Sequence, residues 1–295
     1  MDAPGLGVFV MSEKHVALDT RLTPVNIGLI VFATILAGAF AGWAANQYLP
    51  DYQLTEATRT LVSVSMAVVA TISALVLGLL ISNANTSFIT RAGEVTALSA
   101  DILRLDQMLR RYGPETDTAR RTLRQYAEHK TADLFPDDPR DVDLCNPSTY
   151  ELLQQLEDSL LALEPANSRH RWRLEQAMTL AGKIGDIRWL LAQQSAEKTP
   201  KAFVGLLTFW LTSLFASFGL FAPHNLVAAL ALTLCALAVS GAIGMILELE
   251  QTFGGLLRIS PRPMYSALSI LRDSAAQSDY PRTTLAHISP SPRRS

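Results

Sequence analysis

The sequence is poor in the groups that most enzymes use. It has 2 cysteines and 5 histidines in 295 residues. The pair Cys145 and Cys235 falls in regions of different character, so neither a disulfide framework nor a Cys-based metal site is suggested. No phosphate-binding glycine loop, no His-Glu-x-x-His pair and no Gly-x-Ser-x-Gly elbow occurs. Charge of either sign is also in short supply: Asp, Glu, Lys and Arg make up 18%, against about 25% in soluble proteins. The shortage is local. Residues 22–50, 60–90 and 202–247 contain no charged residue at all. The remainder has an ordinary soluble composition. These absences exclude a simple soluble enzyme, a disordered chain and a basic nucleic-acid binder.

What fills the charge-free stretches is Ala, Leu, Val and Ile. A bilayer core about 30 Å thick needs roughly 20 apolar residues in a helix. The first two stretches supply one span each, at about 25–47 and 61–82. The third is long enough for two, because Pro223 and Asn225 form a turn signal in its middle. It divides into about 202–221 and 226–247. The first span lacks the short apolar core and cleavage site of a secretory signal, and is read as an uncleaved membrane helix. The sequence thus predicts an all-α integral membrane protein whose lipid bilayer is crossed by four helices, two plus two.

Lys and Arg counts orient the spans. Lys14 and Arg21 precede the first span, and Arg59 alone lies between the first and second. None lies between the third and fourth, whereas the region between the second and third holds 16. Both termini and the middle region are expected in the cytoplasm, with two short loops outside. Trp43, Tyr48 and Tyr52 suit an outer aromatic belt.

The expected organisation is an N-terminal cytoplasmic segment (1–24), a first hairpin (25–82), a helical domain (83–201), a second hairpin (202–247), a post-membrane segment (248–272) and a disordered tail (273–295). Val95, Leu98, Ile102, Leu105 and Leu109 mark one apolar stripe, so the second span is expected to continue as one helix up to Gly113-Pro114. Further helices are expected at about 115–134, 148–163 and 168–198. Ser148 and Glu151 have the spacing of a capping box. The five histidines and the acids around Asp137–Asp143 read as solvated surface, and the Arg clusters, interleaved with acids, as helix faces rather than an anion or lipid site. No catalytic, cofactor or metal site is proposed from them.

The second span carries the most informative pattern. Thr60, Ser63, Ala67, Thr71, Ala74, Gly78, Ser82 and Asn85 follow at steps of three and four, so they share one narrow helix face. Each is small or bears a short hydrogen-bonding group. Two readings stay open: close helix packing, or the lining of a narrow, uncharged aqueous path. Small residues also recur at Gly38-x-x-x-Gly42 in the first span and at Ala236, Ser240 and Gly244 in the fourth. No acid or base lies inside any span, which argues against a proton-coupled transporter.

The segment after the fourth span carries a family likeness. Glu248, Glu250, Phe253, Gly254, Ser260 and Pro261, with Arg120-Arg-Thr-Leu-Arg-Gln-Tyr126 in the middle region, resemble the bestrophin-like domain of bacterial membrane proteins. These are distantly similar to bestrophin anion channels. The resemblance implies a homo-oligomer, a pentamer in bestrophins, with a central anion pore lined largely by the second span. It departs at Thr252, where bestrophins have Pro, and at Gly255-Leu-Leu-Arg258, where they carry an acidic run that helps bind Ca²⁺. Ca²⁺ gating is therefore not implied. The aromatic constriction of a bestrophin second span is also missing, since Phe88 is its only Phe. A passive ion channel and a membrane-anchored scaffold whose helices bind a protein partner both remain compatible with these residues.

Overall fold

A computed structural model describes residues 23–50, 55–138, 141–196, 201–223, 225–255 and 257–284. In order, the helices are α1 (Pro24–Tyr48), α2 (Glu56–Tyr112), a short 3-10 turn (Pro114–Thr116), α3 (Asp117–Leu134), α4 (Pro147–Leu161), α5 (Ser168–Ala196), α6 (Lys201–Phe221), α7 (Leu226–Glu250) and α8 (Arg262–Thr284). No strand occurs among the described residues. Four helices are long and apolar enough to cross a membrane: α1, the first half of α2, α6 and α7.

The expected single helix through the second span is present. It runs for 57 residues, about 85 Å at 1.5 Å per residue. Thr55 caps its start by accepting the Thr58 amide at 3.3 Å. It stops at Gly113, whose φ of 144° is open to glycine and strained for other residues. The chain turns there, and the Thr116 hydroxyl donates to the Leu109 carbonyl at 2.7 Å, satisfying one of the last carbonyls of α2.

Two apolar cores result. In the first, α1 lies against both α6 and α7, with Val31, Ile35, Leu207, Leu211, Phe215, Ala236 and Ile243 buried among them. In the second, the latter half of α2 contributes the expected stripe of Val95, Leu98, Ile102, Leu105 and Leu109. Around it close α3, α4, α5 and α8, through Leu123, Tyr126, Leu156, Ile184 and Leu271 among others.

Two expectations are corrected. The helix expected from Ser148 begins one residue earlier. Asn146 is its cap, accepting both the Ser148 amide at 3.1 Å and the Ser148 hydroxyl at 2.8 Å, and Pro147 suits the first helical position. The second correction concerns the tail. Disorder was the expectation from Asp273, but α8 is helical through Thr284. Its Met264, Ala267, Leu268, Leu271 and Ser274 are buried at helical spacing, an apolar face that the surrounding Ser, Arg and Pro obscure in composition. Residues 285–295 lie outside the described set, as do the N-terminal segment through Leu22, Tyr52 and the end of the helix expected to reach Lys198.

Candidate functional site: the open face of α2

The helices around α2 cover only part of its apolar half. Val62, Met66, Val69, Ala70, Val76, Leu77, Leu80 and Ile81 are half-buried, and Ser73 alone is buried before Ala84. Leu77 and Leu80 pack on the membrane core, and Ala84 joins Ile246 and Leu249 of α7. The opposite side is bare. Ser63, Ala67, Thr71, Ala74, Gly78, Ser82 and Asn85 are all exposed. A Cβ added at Gly78 would find nothing within 4 Å.

That result separates the two readings of the small-residue stripes. In α1 the stripe is a dry contact, for a side chain at Gly42 would land on the Ala216 carbonyl of α6, and one at Gly219 on the Ala39 carbonyl of α1. In α7, Ala236 and Ser240 are buried, and Gly244 stands opposite Gly28 of α1. Among the described residues the α2 stripe has no partner helix. Its hydroxyls are also arranged in a particular way. Thr71 donates to the Ala67 carbonyl at 2.8 Å, so its oxygen presents lone pairs outward.

A second exposed face runs beside the stripe. Leu61, Val64, Val68, Ile72, Leu75 and Leu79 each follow a stripe residue by one position, and all are exposed. At about 100° per residue they form a ridge of large aliphatics one step around the helix.

Just beyond Asn85, α2 meets the ends of two other helices through polar contacts. Arg91 is buried. It donates to the Gln194 carbonyl of α5 at 2.6 Å, to the Thr252 hydroxyl at 2.6 Å and to the Glu250 carbonyl at the end of α7 at 3.3 Å. One helical turn on, Glu94 accepts from the Gln194 side chain at 2.6 Å. Neither Arg91 nor Thr252 stands out as a site residue in the sequence. The signal was the first charge after a 31-residue neutral run, set against the Thr that replaces the family's Pro.

The residues of the family-like segment gather behind this junction. Glu248 is buried with its carboxylate against Gly255, where a Cβ would collide with it. Glu250 is half-buried at the end of α7, and its carbonyl is the one that Arg91 reaches. The Phe253 ring meets Phe135 edge-on at 6.1 Å. Gly254 and Gly255 both donate their amides to the Gln251 carbonyl, turning the chain at the end of α7. Ser260 accepts the Arg262 amide at 3.4 Å, and Pro261 leads into α8. A Ca²⁺ ion of the bestrophin kind does not fit this arrangement. The acidic run is absent, and the Arg91 guanidinium already occupies the carbonyl at the end of α7. Among the described residues no group of three or more His, Cys, Asp or Glu is placed to hold a metal.

Deeper in the helical domain, Arg120 from the family-like Arg-Arg-Thr-Leu-Arg-Gln-Tyr pattern pairs with Asp106 of α2 at 2.9 Å, both side chains almost fully buried. The Ser274 hydroxyl of α8 completes the group, 3.2 Å from the Asp106 carboxylate. Lys130 of α3 is buried and donates to the Leu144 carbonyl at 3.2 Å. Burial holds its pKa below the usual lysine value, and Arg188 adds to the effect while Asp133 opposes it. Burial likewise raises the Tyr126 phenol. These groups tie the helices of the domain together.

The bestrophin-like domain family matches residues 32–264. None of the curated proteins matches the sequence. Among solved structures, a mutant crystal structure of a bacterial bestrophin homologue from Klebsiella pneumoniae superposes with a TM-score of 0.60 at 15% identity, covering 83% of this chain and 97% of that one. A second mutant of that homologue gives 0.60 at 16% identity over 82% and 98%. A crystal structure described as a membrane protein gives 0.61 at 15% identity over 83% and 97%. With the apolar helices already described, the match over most of its length makes the conclusion plain: the chain belongs to the bestrophin-like domain family.

Proposed function

We propose that this protein is a homo-oligomeric passive ion channel whose path is lined by α2, with anions as the conducted class. One observation carries the reading: of the two faces of α2 that no other described part of the chain covers, one is aliphatic and suits lipid, and the other is the hydroxyl-and-small stripe. A bare row of hydroxyl and amide groups gains nothing from hydrocarbon, whereas water or a symmetry-related copy of the same stripe would satisfy it. Family membership supports the same arrangement, because bestrophins are pentamers built around their second span. In this reading the lipid bilayer is crossed twice before and twice after a cytoplasmic domain, with both termini inside. Ser63, Ala67, Thr71, Ala74, Gly78, Ser82 and Asn85 face the path.

The preference for anions rests on the family and on the lack of any carboxylate along the stripe. The Asn85 amide and the Ser63 and Ser82 hydroxyls can donate to an anion. Thr71 must first turn its hydrogen away from Ala67. The test is flux from liposomes holding the purified oligomer, with chloride compared against potassium. Chloride efflux that Thr71→Trp abolishes, in a variant that still assembles, is the expected result. A verified oligomer passing neither ion would overturn the channel and leave the scaffold role as the better account.

A further inference from the structure

The membrane half of α2 is held on one side only, and its two open faces differ sharply in character. A turn of one residue, about 100°, would replace Thr71, Ala74 and Gly78 with Ile72, Leu75 and Leu79. Contacts along the covered side are aliphatic and short of directional bonds, so they discriminate weakly between neighbouring registers. The directional contacts come just below, at Arg91 and Glu94.

We propose that Arg91 is a positioning residue that fixes the rotational register of α2, and thereby which face of the helix the path sees. The inference rests on the channel reading for its functional meaning and on the contacts alone for its geometry. The Gln194 carbonyl is one of the last four of α5, and the Glu250 carbonyl is the last of α7, so both lack helical partners. Such carbonyls carry the negative end of the helix dipole, and a guanidinium is well matched to them. One side chain therefore caps two helices, the one that leads into α6 and the one that leaves the membrane. Gln194 is gripped twice, by Arg91 at its carbonyl and by Glu94 at its amide, a turn apart on α2. Two grips at different heights oppose rotation, where a single one would serve as a pivot. Thr252 adds a third direction, from beyond α7.

A lysine at this position would keep the charge and lose the fork that reaches separate acceptors. This gives the proposal a graded test. In a Cys145→Ser background, spin labels are placed on Ala74→Cys or Leu75→Cys and measured against the native Cys235 of α7, diluted with unlabelled protein. Cys235 is exposed and accepts a label. In Arg91→Gln both distances are expected to shorten, by about 3 Å, the displacement of a one-residue turn on a helix of about 2.3 Å radius, because that turn carries Ala74 toward the covered side and Leu75 to where the stripe lay. Arg91→Lys should give a smaller change in the same sense. Two unchanged distances, or any lengthening, in a variant that assembles like the parent would overturn the proposal. Should Arg91→Gln fail to assemble, Thr252→Val removes one acceptor only. It is then expected to shorten both distances slightly, and no shift in it also refutes the pin. Chloride flux of the unaltered protein is read separately, so failure of the channel reading and failure of the pin are told apart.

Discussion

Helices α1 and α2 carry stripes of small residues that are hard to tell apart by composition, yet they meet opposite fates. Along α1 the glycines admit the backbone of α6, with Thr212 against Gly38, Ala216 against Gly42 and Gly219 against Ala39. Along α2 the stripe faces outward and Gly78 has open space around it. The mixture does not decide it, since Thr34 and Asn46 continue the α1 row at the same four-residue step and Ser240 lies in the buried row of α7. What differs is the neighbour. Gly38 and Gly42 give the close approach that apolar helices need to pack in lipid, whereas among the described residues no helix lies against the α2 stripe. A small-residue stripe therefore takes its meaning from what faces it.

The largest effect should come from filling both stripes. Gly42→Leu would drive a side chain into the Ala216 carbonyl and is expected to cost more than the roughly 1–3 kcal/mol of ordinary overpacking. It should appear as loss of the monodisperse oligomer and of a cooperative thermal transition. Gly78→Leu should leave folding intact and lower ion flux by at least about tenfold, roughly 1.4 kcal/mol of added barrier. If both substitutions unfold the protein, or neither does, the contrast between the two helices collapses.

The lower half of α2 extends the comparison, since there every inward position is covered. Arg120→Met leaves Asp106 buried without its charged partner, and about 3–5 kcal/mol of destabilisation is expected in thermal or denaturant melts. Adding Asp106→Leu should restore much of it. A smaller effect is expected at Lys130, and it depends on pH. Its folded-state pKa lies below the unfolded 10.5, so between those values the unfolded chain holds more protons and stability rises with pH. At lower pH the cost of burying the ammonium is present in full. Melting temperatures measured across that window should climb for the parent and climb less for Lys130→Met. Least of all, Ser63→Ala on the open face should change stability by no more than about 0.5 kcal/mol. A larger loss would show that the face is packed in the assembled protein.

Much of this architecture is legible from the sequence, because its strongest signals are one-dimensional. The absence of charge over 22–50, 60–90 and 202–247 marks the four apolar helices, and period-3.6 leucines extend the second of them to Gly113. What the sequence hides are partnerships. Nothing in the order of residues says that the α1 glycines meet α6 while the α2 stripe meets no helix among the described residues. The helix starting at Pro147 was misplaced by a residue because Asn146 and Ser148 are both good caps, and only geometry shows which one accepts. Composition likewise disguised α8, whose buried face occupies five positions in a Ser- and Arg-rich stretch. Arg91 is invisible for a related reason. A charge at the end of an apolar run normally marks the water boundary, and its bonds to Gln194 and Thr252 span more than a hundred residues of sequence.

The place of α8 in the chain bears on how the protein is made. It is synthesised after all four apolar helices, yet Met264, Leu268 and Leu271 complete a core begun by α2. Until α8 has emerged, the Asp106–Arg120 pair and the leucines beside it stand open on the side α8 will cover. The helical domain thus cannot close before all four apolar helices have been made, and closure of that core reports that each of them is present. A chain truncated after α7 would keep its apolar helices and expose a sticky flank, the kind of defect that quality-control proteases find.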